Sequence, residues 1–308
     1  MPKFAVVGDV SVDQIYLVDA LPESGMEIIA REMRLEPGGG GGNVAAALLA
    51  LDQGCTLIGR VGKDELADIA QRNLKDNPRA NVKYLQVDRK ERTGIITILI
   101  DPAGSRTTVG TPGANANLDP KNFDPESVDQ VDALVLSAYS LVEGKRKRYS
   151  ELAIARAKEQ HKTIFIELST GAVERMGGSM ITHVVDATYL VANEHEVKVI
   201  TATDSISQAV AKLHQAGIEQ VVIKVGPQGA LVLTPQVNEL VEPYAIEGVV
   251  DRTGAGDAFT AALAYAVMDG YEILDAVKIA NIAGAVATTA VGAQNCLPNM
   301  AEIKKRLK

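Results

Sequence analysis

Short apolar runs rich in valine and isoleucine recur along the 308-residue chain, at residues 4–7, 56–61, 95–100, 133–137, 163–168, 188–192, 220–225 and 230–234. Most lack the alternation of a half-exposed strand, so they read as strands buried on both faces. Helical patterns lie between many of them, at 44–51, 65–74, 145–159, 205–216, 258–268, 273–289 and 300–307. This alternation predicts an α/β fold, doubly wound, with a mainly parallel sheet and helices on both faces.

Two stretches break the rhythm, residues 11–36 and about 92–110. The first holds Gln14-Ile15-Tyr16-Leu17-Val18 and then 26–35; the second holds 93–100, a turn at Asp101-Pro102-Ala103-Gly104, and 106–109. Both look like hairpins inserted between βα units, and together they predict a small β-sheet lid over a ligand crevice. The plain alternative is a pair of edge strands extending the main sheet. No internal repeat or low-complexity linker divides 1–308, which reads as a single α/β domain carrying the lid as insertions.

Composition narrows the class of partner. With 46% hydrophobic and 23% charged residues, the chain can build a core and is not a disordered one. Its 39 acidic residues exceed its 31 Lys and Arg, giving a net charge of −8, which repels phosphate polymers and argues against nucleic acid. A small anion can still bind, because backbone amides or a metal ion create local positive potential. Cys55 and Cys296 belong to no CxxC pair, so neither a disulfide framework nor a thiolate zinc site is expected, and a reducing cytoplasm is the default location. The start has too short an apolar stretch for a secretory leader. The longest low-polarity run, 258–268, is about half of the ~20 residues that a membrane span needs.

Three groups of residues could carry chemistry. Gly38-Gly39-Gly40-Gly41-Gly42-Asn43 abuts a helical pattern, so it reads as a loop whose bare backbone approaches a polar ligand, with Asn43 capping the helix or bonding a hydroxyl. A flexible linker is the alternative. Asp251-Arg252-Thr253-Gly254-Ala255-Gly256-Asp257 runs into a small-residue helix, where free N–H groups and the helix dipole suit an anion. Asp257 is either a plain N-cap or a carboxylate that receives a hydroxyl proton beside that anion. The dipole should keep it ionised and weakly basic, which phosphoryl transfer tolerates. The third group, Asp9 and Asp13 after the first strand and Asn193 to Glu196 after the strand at 188–192, falls at strand carboxyl ends, where open sheets bind ligands. Asp13 could accept hydroxyl hydrogen bonds, and Asn193 with Glu196 could hold a hydrated magnesium ion; otherwise these are solvated surface acids. Lys224-Val225-Gly226-Pro227-Gln228-Gly229 is a tight turn unless a nucleotide lies against it. The chain has no GxxxxGK[ST], GxGxxG in the first βα turn, GxSxG or HExxH, and its four histidines, His161, His183, His195 and His214, lack metal-ligand spacing.

Taken in order, these residues resemble the ribokinase, or PfkB, family of carbohydrate kinases over essentially the whole chain. Asp251-x-Thr253-Gly254-Ala255-Gly256-Asp257 is similar to the family's C-terminal signature, and Gly38-Gly39 with Asn43 to its N-terminal one. Gly59-x-Val61-Gly62-x-Asp64, Gly113-Ala114-Asn115, Asn193-x-x-Glu196 and Lys224-x-Gly226-x-x-Gly229 follow in family order. The resemblance implies ATP as donor, magnesium, and transfer of the γ-phosphoryl group to a hydroxyl of a small sugar. It implies Asp257 as base, Gly254, Ala255 and Gly256 as anion hole, and Asp13, Gly39 and Asn43 as sugar contacts. Asn193 and Glu196 would organise magnesium and phosphate, with Glu196 acting through water. Lys224, Gly226, Gly229 and Asn281 would lie near the nucleotide. Some relatives bind a monovalent cation, potassium for instance, near the counterparts of Asp251 and Thr253, and the lid often builds a homodimer.

Two departures stand out. Gly40 sits where ribokinases proper carry a lysine, which loosens an assignment to ribose, and Arg252 replaces a frequent Thr or Ser. Two alternatives therefore accompany the sugar kinase: a nucleoside kinase of the same fold, and a non-catalytic sugar or nucleotide sensor.

Overall fold

The valine- and isoleucine-rich runs form strands in a computed structural model that describes residues 2–104 and 106–307. The chain runs β1 (Lys3–Val7), β2 (Ser11–Leu17), β3 (Glu32–Gly38), α1 (Gly40–Ala50), β4 (Gly54–Gly62) and α2 (Glu65–Ala70). Next come β5 (Ala80–Asn81), β6 (Leu85–Asp88), β7 (Thr93–Ile100), β8 (Arg106–Gly113), α3 (Glu126–Asp129), β9 (Ala133–Ser137) and α4 (Gly144–Glu159). The middle continues with β10 (Thr163–Glu167), α5 (Thr170–Met176), α6 (Ile181–Val184), β11 (Tyr189–Asn193), α7 (Glu194–Thr201) and α8 (Ile206–Gln215). β12 (Gln220–Lys224), β13 (Ala230–Leu233), β14 (Asn238–Val241), α9 (Ala255–Met268), α10 (Ile273–Ala287) and α11 (Met300–Arg306) complete it.

The main sheet has the order β14-β13-β12-β11-β10-β9-β1-β4-β5, with β6 beside the end of β4. It is parallel from β12 to β5 and antiparallel at β13 and β14. Strand side chains alternate between two cores. Ala5, Val7, Leu134, Leu136 and Ile166 meet Tyr149 and Ala153 of α4 and Val197 and Ile200 of α7. On the other face Phe4, Val6, Leu57 and Val135 meet Val44 and Leu48 of α1 and Ala261 and Ala264 of α9. Each fully buried leucine such as Leu134 or Leu136 stabilises the fold by roughly 1.5–3 kcal/mol, so neither face is dispensable.

Residues 11–36 and 92–110 supply most of a separate four-stranded sheet, in the order β3-β2-β7-β8. Two antiparallel hairpins, β2–β3 and β7–β8, join through the parallel pair β2–β7. Ile15, Ile98 and Ile100 close its inner face over Val291 of the main body. Asn115 ties β8's exit to the segment between β1 and β2, bonding both the N–H and the carbonyl of Val10 at 2.9 Å. The alternative of edge strands on the main sheet is thus excluded. Ser105, in the second insertion, lies outside the described residues.

Some elements differ from the pattern. α2 stops at Ala70 rather than at 74, because Arg72 and Leu74 turn to i−3 acceptors, while Leu74 still buries its side chain and keeps the helical spacing of apolar positions. α1 starts inside the glycine run instead of after it. The chain passes from β1 to β4 on one side and later to β9 on the other, so the crevice at this reversal opens over the ends of β1 and β9.

Candidate active site

At that crevice the glycine run serves packing as much as ligand approach. Asp9 offers its carbonyl to the amides of Gly41 (3.0 Å) and Gly42 (3.1 Å), and a Cβ on Gly41 would stand 2.6 Å from the Gly8 carbonyl carbon. Gly38 is bare because Asp13 fills the space, its carboxylate 2.2 Å from where a Cβ would be. The capping role considered for Asn43 does not hold: Gly39 is the N-cap and Asn43 lies within α1. Its Nδ2 instead donates to Asp257 Oδ2 at 2.8 Å, and its Oδ1 accepts from Gln294 Nε2 at 3.0 Å.

Asp257 comes from the second motif. Gly254, at φ +77°, is the N-cap of α9, so the N-cap alternative for Asp257 also fails; it is the third helical residue. At the start of α9 the Ala255 amide makes only a long 3.3 Å bond to the Arg252 carbonyl, and the amides that follow have no preceding turn to accept them, which suits an anion. The space over Gly256 opens onto an ion pair, since a Cβ there would be 2.9 Å from both Lys224 Nζ and Glu167 Oε1. Lys224, at the end of β12, donates to Glu167, the last residue of β10.

The electrostatics reverse one expectation. Burial, then the charge of Glu167, pushes Asp257 up to about 7, against the hydrogen bond from Asn43 and the charges of Lys224 and Arg106. Desolvation outweighs the helix dipole here. Burial also pushes Asp13 up to about 8, aided by Asp257 and Asp251 and opposed by Arg106. For Lys224 burial favours the neutral amine, but Glu167, Glu196 and Asp257 more than offset it, so its pKa rises. Arg106 arrives from the lid, where β8 begins, and donates to Thr253 Oγ1 at 3.2 Å.

Beyond the α9 start lies a cavity of about 440 Å³. Lys224, Gly226, Gly229 and Asn281 all line it, together with Ala255 and Gly256 from the start of α9. The rest of its wall is largely apolar, with Pro243, Ile246, Val249 and Phe259. Asn281 donates to the carbonyls of Val241 (3.3 Å) and Glu242 (2.9 Å), fastening the segment that forms this wall.

Asn193 and Glu196 do not line the cavity. They form a capping box on α7, Asn193 accepting from the Glu196 amide at 2.9 Å and Glu196 from the Asn193 amide at 2.8 Å. Asn193 nevertheless stands opposite Lys224 in the β11–β12 register. Glu196 Oε1 also accepts from Thr170 at 2.9 Å. Among the described residues no group of three or more His, Cys, Asp or Glu could cage a metal. A magnesium ion that keeps its waters and rides on phosphate needs no such cage. Asp251 accepts from Thr253 N (2.9 Å) and Thr253 Oγ1 (2.7 Å) with one oxygen, and with the other from Gly292 N (2.9 Å), 41 residues on.

Sequence reasoning missed Glu167, Arg106 and Gln294. Glu167 had a readable signal, a carboxylate ending an otherwise apolar strand. Arg106 and Gln294 are far in sequence from what they touch and left none.

An acid beside a helix start, below a small separate sheet and next to a cavity of about 440 Å³, is the arrangement of a phosphoryl-transfer enzyme of the α/β class. The chain belongs to the pfkB family of carbohydrate kinases, whose model matches residues 1–300. It is 28% identical to a ribokinase from Bacillus subtilis over 307 residues, 100% of each chain. A solved Arabidopsis thaliana ribokinase, complexed with ribose and ATP, superposes with a TM-score of 0.84 at 25% identity, over 100% of this chain and 99% of that one. A fructokinase from Vibrio cholerae, in a form with fructose, ADP and calcium, gives 0.81 at 28% identity, over 99% of each. The protein is an ATP-dependent sugar kinase, and kinases of the ribokinase family work with ATP and Mg2+. No helix among the described residues is long and apolar enough to cross a membrane.

Proposed function

We propose that the crevice under the lid takes a small sugar, a pentose or hexose, against Asp13, Gly39 and Asn43, and that Asp257 steers one of its hydroxyls toward the γ-phosphoryl group of ATP. The observation that carries this is the 2.8 Å bond between Asn43 and Asp257, which joins the two glycine motifs across the chain. In this scheme the amides of Gly254, Ala255 and Gly256 hold the migrating group, and Lys224, Gly226, Gly229 and Asn281 flank the nucleotide. Asp257, raised to about 7, is half-ionised near neutral pH and suited to receive a hydroxyl proton. Asn43 fixes its orientation. Magnesium bound to the phosphates would neutralise part of their charge, with Asn193 and Glu196 ordering its water shell. Asp251 accepts from Thr253 and Gly292, and Thr253 from Arg106; potassium or another monovalent cation would sit beside this loop, and the transfer step as drawn does not pass through it.

A nucleoside acceptor is favoured by one feature, the bare Gly40. A Cβ there would stand 3.1 Å from Ser137 Oγ and 3.5 Å from Asp257 Oδ1, so its absence widens the acceptor side. ADP release with Mg-ATP, measured over ribose, deoxyribose, fructose, other hexoses and adenosine, separates the readings. Turnover on a pentose or hexose at 100-fold or more above adenosine supports the sugar. Preference for adenosine supports the nucleoside, and thermal shifts without any turnover support a sensor.

We further propose a homodimer through the lid. Met26, Ile29, Met33 and Val109 are exposed there, Ile29 at 91%, and β3 and β8 are free edges. Light scattering of the native protein tests it, and a monomer at all concentrations refutes it.

A further inference from the structure

The cavity next to the α9 start contains two cations in its wall, Lys224 and Arg252, and no acid. Lys224 is already neutralised by Glu167, to which it is both hydrogen-bonded and ion-paired. Arg252 differs. It is exposed, lies three residues before Ala255, and its guanidinium has no hydrogen bond or ion pair among the described residues. Its backbone carbonyl receives the Ala255 amide at 3.3 Å, which fixes its Cα against the helix start that forms the anion hole.

Charge decides what such a group is for. A nucleoside triphosphate brings several negative charges toward a region where Asp251 and the partly ionised Asp257 already lie, and Arg106 approaches it from the lid side. The helix amides supply about half a positive charge between them. A planar guanidinium with every N–H free matches phosphate oxygens in bidentate fashion. We propose that Arg252 is the residue that engages the phosphate chain of the donor, so that this kinase selects its donor by phosphate charge at a point the base does not reach. The alternative within the same wall is that Arg252 stacks on the nucleobase.

The proposal rests on the cavity being the donor's, and two sets of variants keep the two claims apart. Arg252→Met and Arg252→Lys are compared with the parent by calorimetric titration of ATP, ADP, AMP and adenosine, with thermal melting as a check on folding. The expected result for Arg252→Met is a loss of affinity that grows with phosphate number, about 10-fold or more for ATP and less than 2-fold for adenosine. KM for the sugar stays unchanged, the dependence of ATP binding on salt becomes shallower, and Arg252→Lys recovers part of the loss. Equal losses for ATP and adenosine would assign Arg252 to the base and overturn the proposal, as would ATP affinity within 2-fold of the parent. Ala285→Trp fills part of the same cavity. If it too leaves every nucleotide's affinity unchanged, the cavity is not the donor site; if it abolishes binding while Arg252→Met does not, only the role of Arg252 fails.

Discussion

Replacing Asp257 by Asn should make the protein more stable and nearly inactive at once. The substitution keeps size, and the new side-chain oxygen can still accept from Asn43, so packing is conserved while a buried charge disappears. The folded-state pKa of about 7 lies above the ordinary 3.8, so the folded protein binds this proton more tightly than the unfolded chain does. The associated stability is fully present below pH 3.8 and is lost as the pH rises through 7. At ~1.4 kcal/mol per tenfold change in proton affinity, the gap amounts to about 4 kcal/mol at pH 8 as an upper bound. Relaxation and water penetration reduce this to on the order of 1–3 kcal/mol. Urea denaturation at pH 5 and pH 8 should show Asp257→Asn gaining stability over the parent, with the larger gain at pH 8. Turnover, followed by ADP release, should drop by roughly 10²–10⁴, the usual loss on removing a positioned base. A variant that is destabilised equally at both pH values, or one that retains parental turnover, refutes the reasoning.

Further outcomes follow from the charges and the backbone around Asp257. Arg106→Gln removes a cation that holds Asp257 and Asp13 down, so the acidic limb of kcat/KM should move to higher pH, with activity at pH 6 falling about 3–10-fold. Glu167→Gln removes the neighbour that pushes Asp257 up, so in a pH-rate profile the same limb should move to lower pH, and movement in the same direction as for Arg106→Gln contradicts this. Gly254→Ala forces a left-handed residue at φ +77° and brings a Cβ to 2.5 Å from that of Ala293, so urea denaturation should show a loss of about 2–4 kcal/mol. A loss below about 1 kcal/mol would mean that the helix start yields easily.

The layers of the fold were legible because burial on both faces leaves a direct trace in strand composition, as in residues 4–7 and 133–137. The lid was legible for the opposite reason, since hairpin turns interrupt the βα rhythm. β5, β6 and β14 were not, being two to four residues long with too few apolar positions to register. In the site, the glycine motifs announced themselves by composition, but the partition of the run did not. Whether Gly41 faces a ligand or Gly8 depends on how α1 docks on β1, which no local pattern encodes. The same holds for Asp257: its helix position suggested a strong acid, and only the burial beside Glu167, 90 residues away in the chain, reverses the sign. Arg106 and Gln294 meet the site through tertiary contacts alone.

The most direct test is a crystal structure of the protein with a non-hydrolysable ATP analogue and an accepted sugar bound together. The account predicts the γ-phosphoryl group within hydrogen-bond reach of the amides at Gly254 to Gly256, and one sugar hydroxyl roughly 2.6–3.2 Å from the Asp257 carboxylate on the side facing it. A γ-phosphoryl group seated away from the α9 start, or a sugar whose nearest hydroxyl is out of reach of Asp257, would contradict it.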